Sequence, residues 1–218
     1  MTETTLIISS RNYSSWSLRG FLLLRLSGLP FTEQSIDPAD PAAREELLLR
    51  ASSIRIPCLI HEGFSIWDTL AIAEYLNEIC PKAGMYPADR SARARSRSIS
   101  GEMHSGFHAL RSSLPMNLRA KRPGFVVWSG AQADIDRVCT IWRECLAASG
   151  GPWLFGAHRS VADAMYAPVA TRLLTYDVAV DEVCRGYCAR TMELPDMQEW
   201  LAGALAEVEE VSELEVEF

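Results

Sequence analysis

No apolar run in this chain reaches the roughly 18–20 residues that a membrane-spanning helix needs. The opening residues, MTETTLIISS, have neither the basic region nor the apolar stretch of a secretory leader. Together these absences point to a cytoplasmic protein without a membrane partner. Histidine is scarce, with only His61, His104, His108 and His158, and no GxSxG elbow accompanies them. A Ser–His–Asp hydrolase is therefore disfavoured. The six cysteines, Cys58, Cys80, Cys139, Cys145, Cys184 and Cys188, form no CxxC pair and show no metal-ligand spacing. Cys184 and Cys188 stand one helical turn apart and read as buried free thiols, so neither a disulfide nor a metal is required. Positive charge is also in deficit, with 21 Lys and Arg against 28 Asp and Glu and a net charge of −7. Nucleic acid is a poor partner for such a chain. The basic stretch DRSARARSRS, Asp89 to Ser98, reads as a polar linker and helix start.

The material that is present suits an ordinary globular protein, with 48% hydrophobic and 22% charged residues in a chain of 218. That length fits one large domain or two small ones. TLIISS, Thr5 to Ser10, reads as a short buried strand, and a helix follows from about Ser15 to Ser27. Ser14 suits its N-cap and Gly28 its C-terminal stop. PFTEQSI, Pro30 to Ile36, alternates as a second strand and completes a βαβ unit with a parallel pair. DPADPAAREELLLR reads as a capped second helix. PCLIHEG and FSIWD, broken at Glu62–Gly63, read as a hairpin. DTLAIAEYLNEI closes the segment as an amphipathic helix with Leu70, Ile72, Ala73, Leu76 and Ile79 on one side.

The order βαβαββα is complete by about Cys80, and Pro81, Gly84 and Pro87 mark a linker. Helices are expected thereafter at Ala92 to Leu114, Gln132 to Ala148, Val161 to Tyr176, Asp181 to Met192 and Pro195 to Val208. The acidic tail from Glu207 to Phe218 reads as a frayed, solvated end. The expected division is residues 1–80, a linker at 81–91, and an all-helical domain at 92–218.

Chemistry-bearing residues sit at three turns of the first domain. Pro57 cannot donate to a strand ladder and belongs at a strand start or edge. A cis bond there would leave the Ile56 peptide open to an extended ligand. Asp68 and Thr69 open the third helix, where Asp is an ordinary N-cap. The same geometry can receive a carboxylate on free N–H groups and the Thr69 hydroxyl, while Asp68 holds an ammonium. Ser14, Ser15 and Ser17 surround the first helix start. A hydroxyl there caps the helix, or it donates to a thiolate whose pKa the helix terminus also lowers. Ser160 and Asp163 have the spacing of a capping box, and Pro168 suggests a local irregularity in that helix.

Taken together, these stretches resemble the cytosolic glutathione S-transferase family. SSWS is similar to the serine motif of the zeta and related bacterial classes, usually SSCS. RIPCLI resembles the family's VPxL segment with its cis-proline. WDTLAIAEYL is similar to the ESxAIxxYL block, and SVADAMYAPV to the SxADxxxxP capping box.

The resemblance implies a thioredoxin-like α/β N-terminal domain and an all-α C-terminal domain. It implies a cytoplasmic homodimer that binds glutathione as co-substrate and adds its sulfur to a small electrophile. Ser14 or Ser15 would activate the thiol. Arg55, Ile56, Asp68 and Thr69 would bind glutathione, with Pro57 as the structural cis-proline. The electrophile would lie between the domains, against Trp16, Met103, His104, Phe107 and Arg111. Trp16 stands where the zeta motif keeps cysteine, which points away from maleylacetoacetate isomerisation. That isomerisation, and a non-catalytic binding or regulatory role, are the alternatives.

Overall fold

The computed structural model describes residues 4–51 and 53–208. Its N-terminal part holds β1 (Thr5–Ile8), α1 (Ser15–Ser27), β2 (Thr32–Ser35), α2 (Pro41–Arg50), β3 (Cys58–His61), β4 (Phe64–Trp67) and α3 (Thr69–Ile79). The strands form one sheet in the order β2-β1-β3-β4, with β1 parallel to β2 and the hairpin strands antiparallel. The βαβ unit explains the parallel pair: a helix must return the chain to the same edge before β2 can start. After a 3-10 turn at Pro81–Ala83, the remainder is helical: α4 (Arg90–Ser105), α5 (His108–Ser113), α6 (Ser129–Ser149), α7 (Val161–Thr175), α8 (Glu182–Met192) and α9 (Pro195–Ala206). A thioredoxin-like α/β layer followed by a helical bundle is the observed fold class. No helix among the described residues is long and apolar enough to cross a membrane.

Local chemistry sets the helix ends. Ser14 caps α1 through its hydroxyl, which accepts the Ser17 N–H, and Gly28 ends the helix at φ 72. Asp40 and Pro41 start α2, and Asp89 starts α4 by accepting from Ala92 N. Ser160 and Asp163 form the expected capping box at α7. Asp163 does more than cap: its carboxylate accepts from the backbone N–H of Ser160 (2.8 Å) and Leu154 (3.1 Å) and from the Tyr187 hydroxyl (3.0 Å). Burial nevertheless pushes its carboxyl above the ordinary aspartate range. Pro168 lies within α7 without ending it.

Three expectations are corrected. The single helix from Ala92 to Leu114 is two helices, because the chain turns at Gly106–Phe107. Phe107 adopts φ 56, and a Cβ at Gly106 would lie 2.7 Å from the Glu102 carbonyl oxygen. Ile79 is exposed, since α3 ends there and its last turn leaves the core. Glu207 is docked rather than frayed: its carboxylate accepts from the Ser10 hydroxyl (2.7 Å) and from the N–H groups of Arg11 (2.5 Å) and Asn12 (3.0 Å). The rest of the acidic tail, 209–218, lies outside the described residues.

Helix α1 touches everything that positions the later site. Ten of its residues, Ser15, Ser17 to Leu24 and Ser27, are buried, so it has no solvent face of the usual width. One side rests on the sheet, where Gly20 meets Pro57. A Cβ at Gly20 would stand 2.8 Å from both Cβ and Cγ of that proline. The other side meets α7, and the fully buried Arg19 donates from Nε to the Met165 carbonyl (2.8 Å) across the junction.

Substituting Gly20→Ala tests this close approach. Alanine gains up to about 1 kcal/mol of helix propensity, but overpacking against Pro57 costs about 1–3 kcal/mol. The denaturation midpoint is expected to fall. An unchanged or raised midpoint would mean that α1 and the β3 entry separate without cost.

Candidate functional site

A cavity of about 600 Å³ opens where the ends of several elements converge. The start of α1 supplies Trp16, and the segment entering β3 supplies Arg55, Ile56 and Pro57. The start of α3 supplies Asp68 and Thr69, while the α4–α5 turn supplies His104, Ser105, His108 and Arg111. Sequence positions from 16 to 111 thus meet in one place, because the first three turns all lie at one end of the sheet and α4 packs beside α3.

The Ile56–Pro57 peptide is cis. Ladder pairing of β3 begins at Cys58, so the Ile56 peptide stands ahead of the sheet and beside the cavity. Asp68 holds φ 76 and ψ 129, a region that residues with side chains rarely adopt. Two hydrogen bonds keep it there. One carboxylate oxygen accepts the Leu70 N–H at 2.8 Å, and the other lies 2.5 Å from His104 Nε2. The α3 cap is thereby tied to α4. The adjacent Thr69 is 1% exposed, yet its hydroxyl oxygen has no hydrogen-bond partner among the described residues. A buried hydroxyl left in that state costs stability.

Trp16 occupies the centre of a cationic wall. The Arg19 guanidinium lies 4.4 Å from its ring centroid, Arg111 lies 5.0 Å away, and the His104 ring is at 5.2 Å. A π face offers these guanidiniums the negative potential that a carboxylate otherwise would. Burial lowers the pKa of Arg111 from its ordinary value, and that of Arg19 more strongly. Asp68 is the single carboxylate among the cavity-lining residues, against Arg55 and Arg111 with His104 and His108 alongside. Among the cavity-lining residues, guanidinium groups outnumber carboxylates.

The structure brings Trp16, Arg55, Ile56, Pro57, Asp68, Thr69, His104 and Arg111 together. It does not bring Met103 or Phe107 to the cavity. Met103 is turned about 100° around α4 from its neighbour His104 and is wholly buried. The turn at Gly106 sends Phe107 into the core, against the Tyr166 ring at 6.5 Å. Both expectations assumed a continuous helix. Ser14 and Ser15 stand at the α1 start next to Trp16, outside the cavity-lining set. The Ser14 hydroxyl donates to Ser17 Oγ at 2.9 Å and accepts from Ser17 N, whereas the largely buried Ser15 accepts from Arg19 through its backbone carbonyl at 3.3 Å. Ser105 and His108 were not anticipated, and Gly106 was the one residue that could have signalled the turn presenting them.

Comparison with known proteins identifies the family. Residues 13–79 match the family model "Glutathione S-transferase, N-terminal domain", and residues 92–210 match "Glutathione S-transferase, C-terminal domain". A probable maleylacetoacetate isomerase from Caenorhabditis elegans is 25% identical over 159 residues, covering 73% of each chain. Among solved structures, a glutathione transferase homolog from Burkholderia gl BGR1 with bound glutathione superposes at TM-score 0.72 and 24% identity. The match covers 95% of this chain and 100% of that one. A maleylacetoacetate isomerase from Anaeromyxobacter dehalogenans 2CP-1, with bound dicarboxyethyl glutathione and citrate, superposes at 0.64 and 22% identity, covering 91% and 90%. With its two family domains spanning most of the sequence in the expected order, the chain belongs to the glutathione S-transferase family.

Proposed function

We propose that the chain is a glutathione transferase whose cavity binds glutathione and presents its thiolate to a small electrophile. The observation that carries this reading is the juxtaposition at the α3 start. A carboxylate, Asp68, lies beside an unpartnered buried hydroxyl, Thr69, at a helix N-terminus. An α-amino acid headgroup has the complementary chemistry. Its ammonium pairs with Asp68, and its carboxylate accepts from the Thr69 hydroxyl and the helix N–H groups. The cysteinyl portion then lies along the Ile56 peptide as an added strand. Arg55 reaches a remaining carboxylate.

This placement carries the sulfur toward the start of α1. There a serine hydroxyl donates to the thiolate, and the helix terminus adds its positive potential; both effects favour the ionised sulfur. Ser15 can donate without losing a bond to another side chain, while Ser14 must release Ser17 Oγ. His104 already occupies one oxygen of Asp68, so the incoming ammonium shares or displaces it.

A second reading is favoured by the cationic wall. Arg111 and His108 suit an electrophile bearing a carboxylate, and the Caenorhabditis elegans relative is named as an isomerase of a maleyl compound. Such a reaction uses the same thiolate, added and then released. Trp16 in place of a cysteine leaves the serine mechanism as the source of activation in either case.

Thr69→Val separates binding from stability. Removing an unsatisfied hydroxyl is expected to stabilise the unliganded protein by about 1 kcal/mol. The same change should raise the KM for glutathione about 10-fold, because a hydrogen bond to a charged group is lost. A variant that is less stable and binds normally would contradict this use of the hydroxyl.

Ser14→Ala and Ser15→Ala, assayed with a model electrophile across pH, test the activation. One of them should lower kcat/KM by about 100-fold and shift the acid limb of the pH–rate profile upward. Ser14→Ala should also lose about 1 kcal/mol of stability with the α1 cap. Unchanged rates in both variants would remove the serine mechanism.

A further inference from the structure

Away from the cavity, the fold assembles a second cluster of reactive groups. Cys139 on α6 and Cys184 on α8 stand 45 positions apart in sequence. Their sulfurs and the Asp181 carboxylate nevertheless lie within 4.8 Å of one another. The Cys184 sulfur is also 3.7 Å from the Cys139 carbonyl oxygen. Both thiols are free; Cys184 is fully buried, whereas Cys139 keeps 6% of its surface open next to the exposed Asp181.

Two chemistries are open to a thiol pair beside a carboxylate: metal binding and oxidation. The carboxylate decides between them. One oxygen of Asp181 accepts the Cys184 N–H at 3.0 Å as the α8 cap, and the other accepts from Arg143 at 2.6 Å. A cation would have to displace that guanidinium and open the helix cap. The guanidinium already on the carboxylate opposes a metal ion, which leaves oxidation as the chemistry of the pair.

The two sulfurs are also unequal. A hydrogen bond from Cys184 lowers the pKa of Cys139, against burial and the Asp181 charge, which raise it. The same hydrogen bond and burial raise that of Cys184. Cys139 keeps the only exposure of the two, so it is the thiol that a small oxidant reaches first, with Cys184 buried beside it.

We propose that Cys139 and Cys184 form a hydroperoxide-oxidised pair that closes into a disulfide joining α6 to α8. The Cys139 thiolate attacks one oxygen of hydrogen peroxide; the O–O bond breaks, hydroxide leaves, and Cys139 becomes a sulfenic acid. Cys184 then attacks the Cys139 sulfur and gives up its proton, the S–O bond breaks, and water leaves. Two thiols are oxidised by two electrons, and peroxide is reduced to two waters once hydroxide takes up the proton from Cys139. Hydrogen peroxide is close to water in size, which suits a thiol residue only 6% exposed.

The test treats the full chain with a small molar excess of hydrogen peroxide, followed by denaturing thiol titration and non-reducing peptide mapping. Two of the six thiols are expected to disappear, with Cys139 linked to Cys184. Cys184→Ala should leave Cys139 able to form only sulfenic and higher acids, detected by a sulfenate-trapping reagent. Retention of all six thiols, or linkage of any other pair such as Cys139 with Cys188, would overturn the proposal. So would a sulfur-to-metal charge-transfer band with Co²⁺ in the untreated protein that disappears in Cys184→Ala, since that assigns the cluster to a metal instead.

Discussion

Burial of α1 on nearly every side is the constraint from which the site follows. An ordinary surface helix packs one stripe and leaves the rest to water. Here the sheet and α7 both claim the helix, so its rotation and its height along the sheet are fixed together. Gly20 permits the approach to Pro57, and Arg19 ties the opposite side to the Met165 carbonyl. Arg19 meets no carboxylate among the described residues. Its charge is met by carbonyl oxygens and by the Trp16 ring. That ring forms part of the cavity wall, so the group that stabilises the buried guanidinium is also a site residue. Tryptophan at position 16 thus serves both the packing and the electrostatics of the buried guanidinium.

Asp68 shows how the cavity can be organised before any ligand enters. It caps α3, holds an uncommon backbone conformation, and reaches His104 on α4. Each of these interactions orients the same carboxylate. The neighbouring Thr69 hydroxyl has no such partner, and the difference is informative. Arg19 Nη2, the Ser96 and Ser100 hydroxyls and Trp142 Nε1 are also buried without a partner among the described residues, so what sets Thr69 apart is its place in the cavity lining. A hydroxyl-bearing residue that lines a cavity at a helix N-terminus is suited to an anionic ligand.

Much of this was legible in the sequence because it is local. Ser14 as cap, Gly28 as stop, the Glu62–Gly63 hairpin and the Ser160–Asp163 box each depend on residues a few positions apart. The family motifs carried the positions of Pro57, Asp68 and Thr69, whose convergence depends on the fold of the first domain. What could not be read was tertiary. Met103 and Phe107 share an apolar spacing with cavity residues, but a turn at a single glycine moved one into the core and left the other on the inner side of α4. The Asp68–His104 contact joins residues 36 positions apart, and no periodicity reports such a pair. Glu207 is similar: its composition suggests solvent, yet it satisfies backbone N–H groups in the loop leading into α1.

The central claim is that the Asp68–Thr69 end of the cavity receives a γ-glutamyl headgroup. Titration calorimetry of the wild-type chain with glutathione, and separately with cysteinylglycine, tests it most directly. Glutathione should bind at one site per chain. Cysteinylglycine, which lacks that headgroup, should bind at least about 10-fold more weakly, the loss expected when hydrogen bonds to charged groups are removed. Equal binding of the two ligands, or no heat from glutathione at millimolar concentration, would contradict the account.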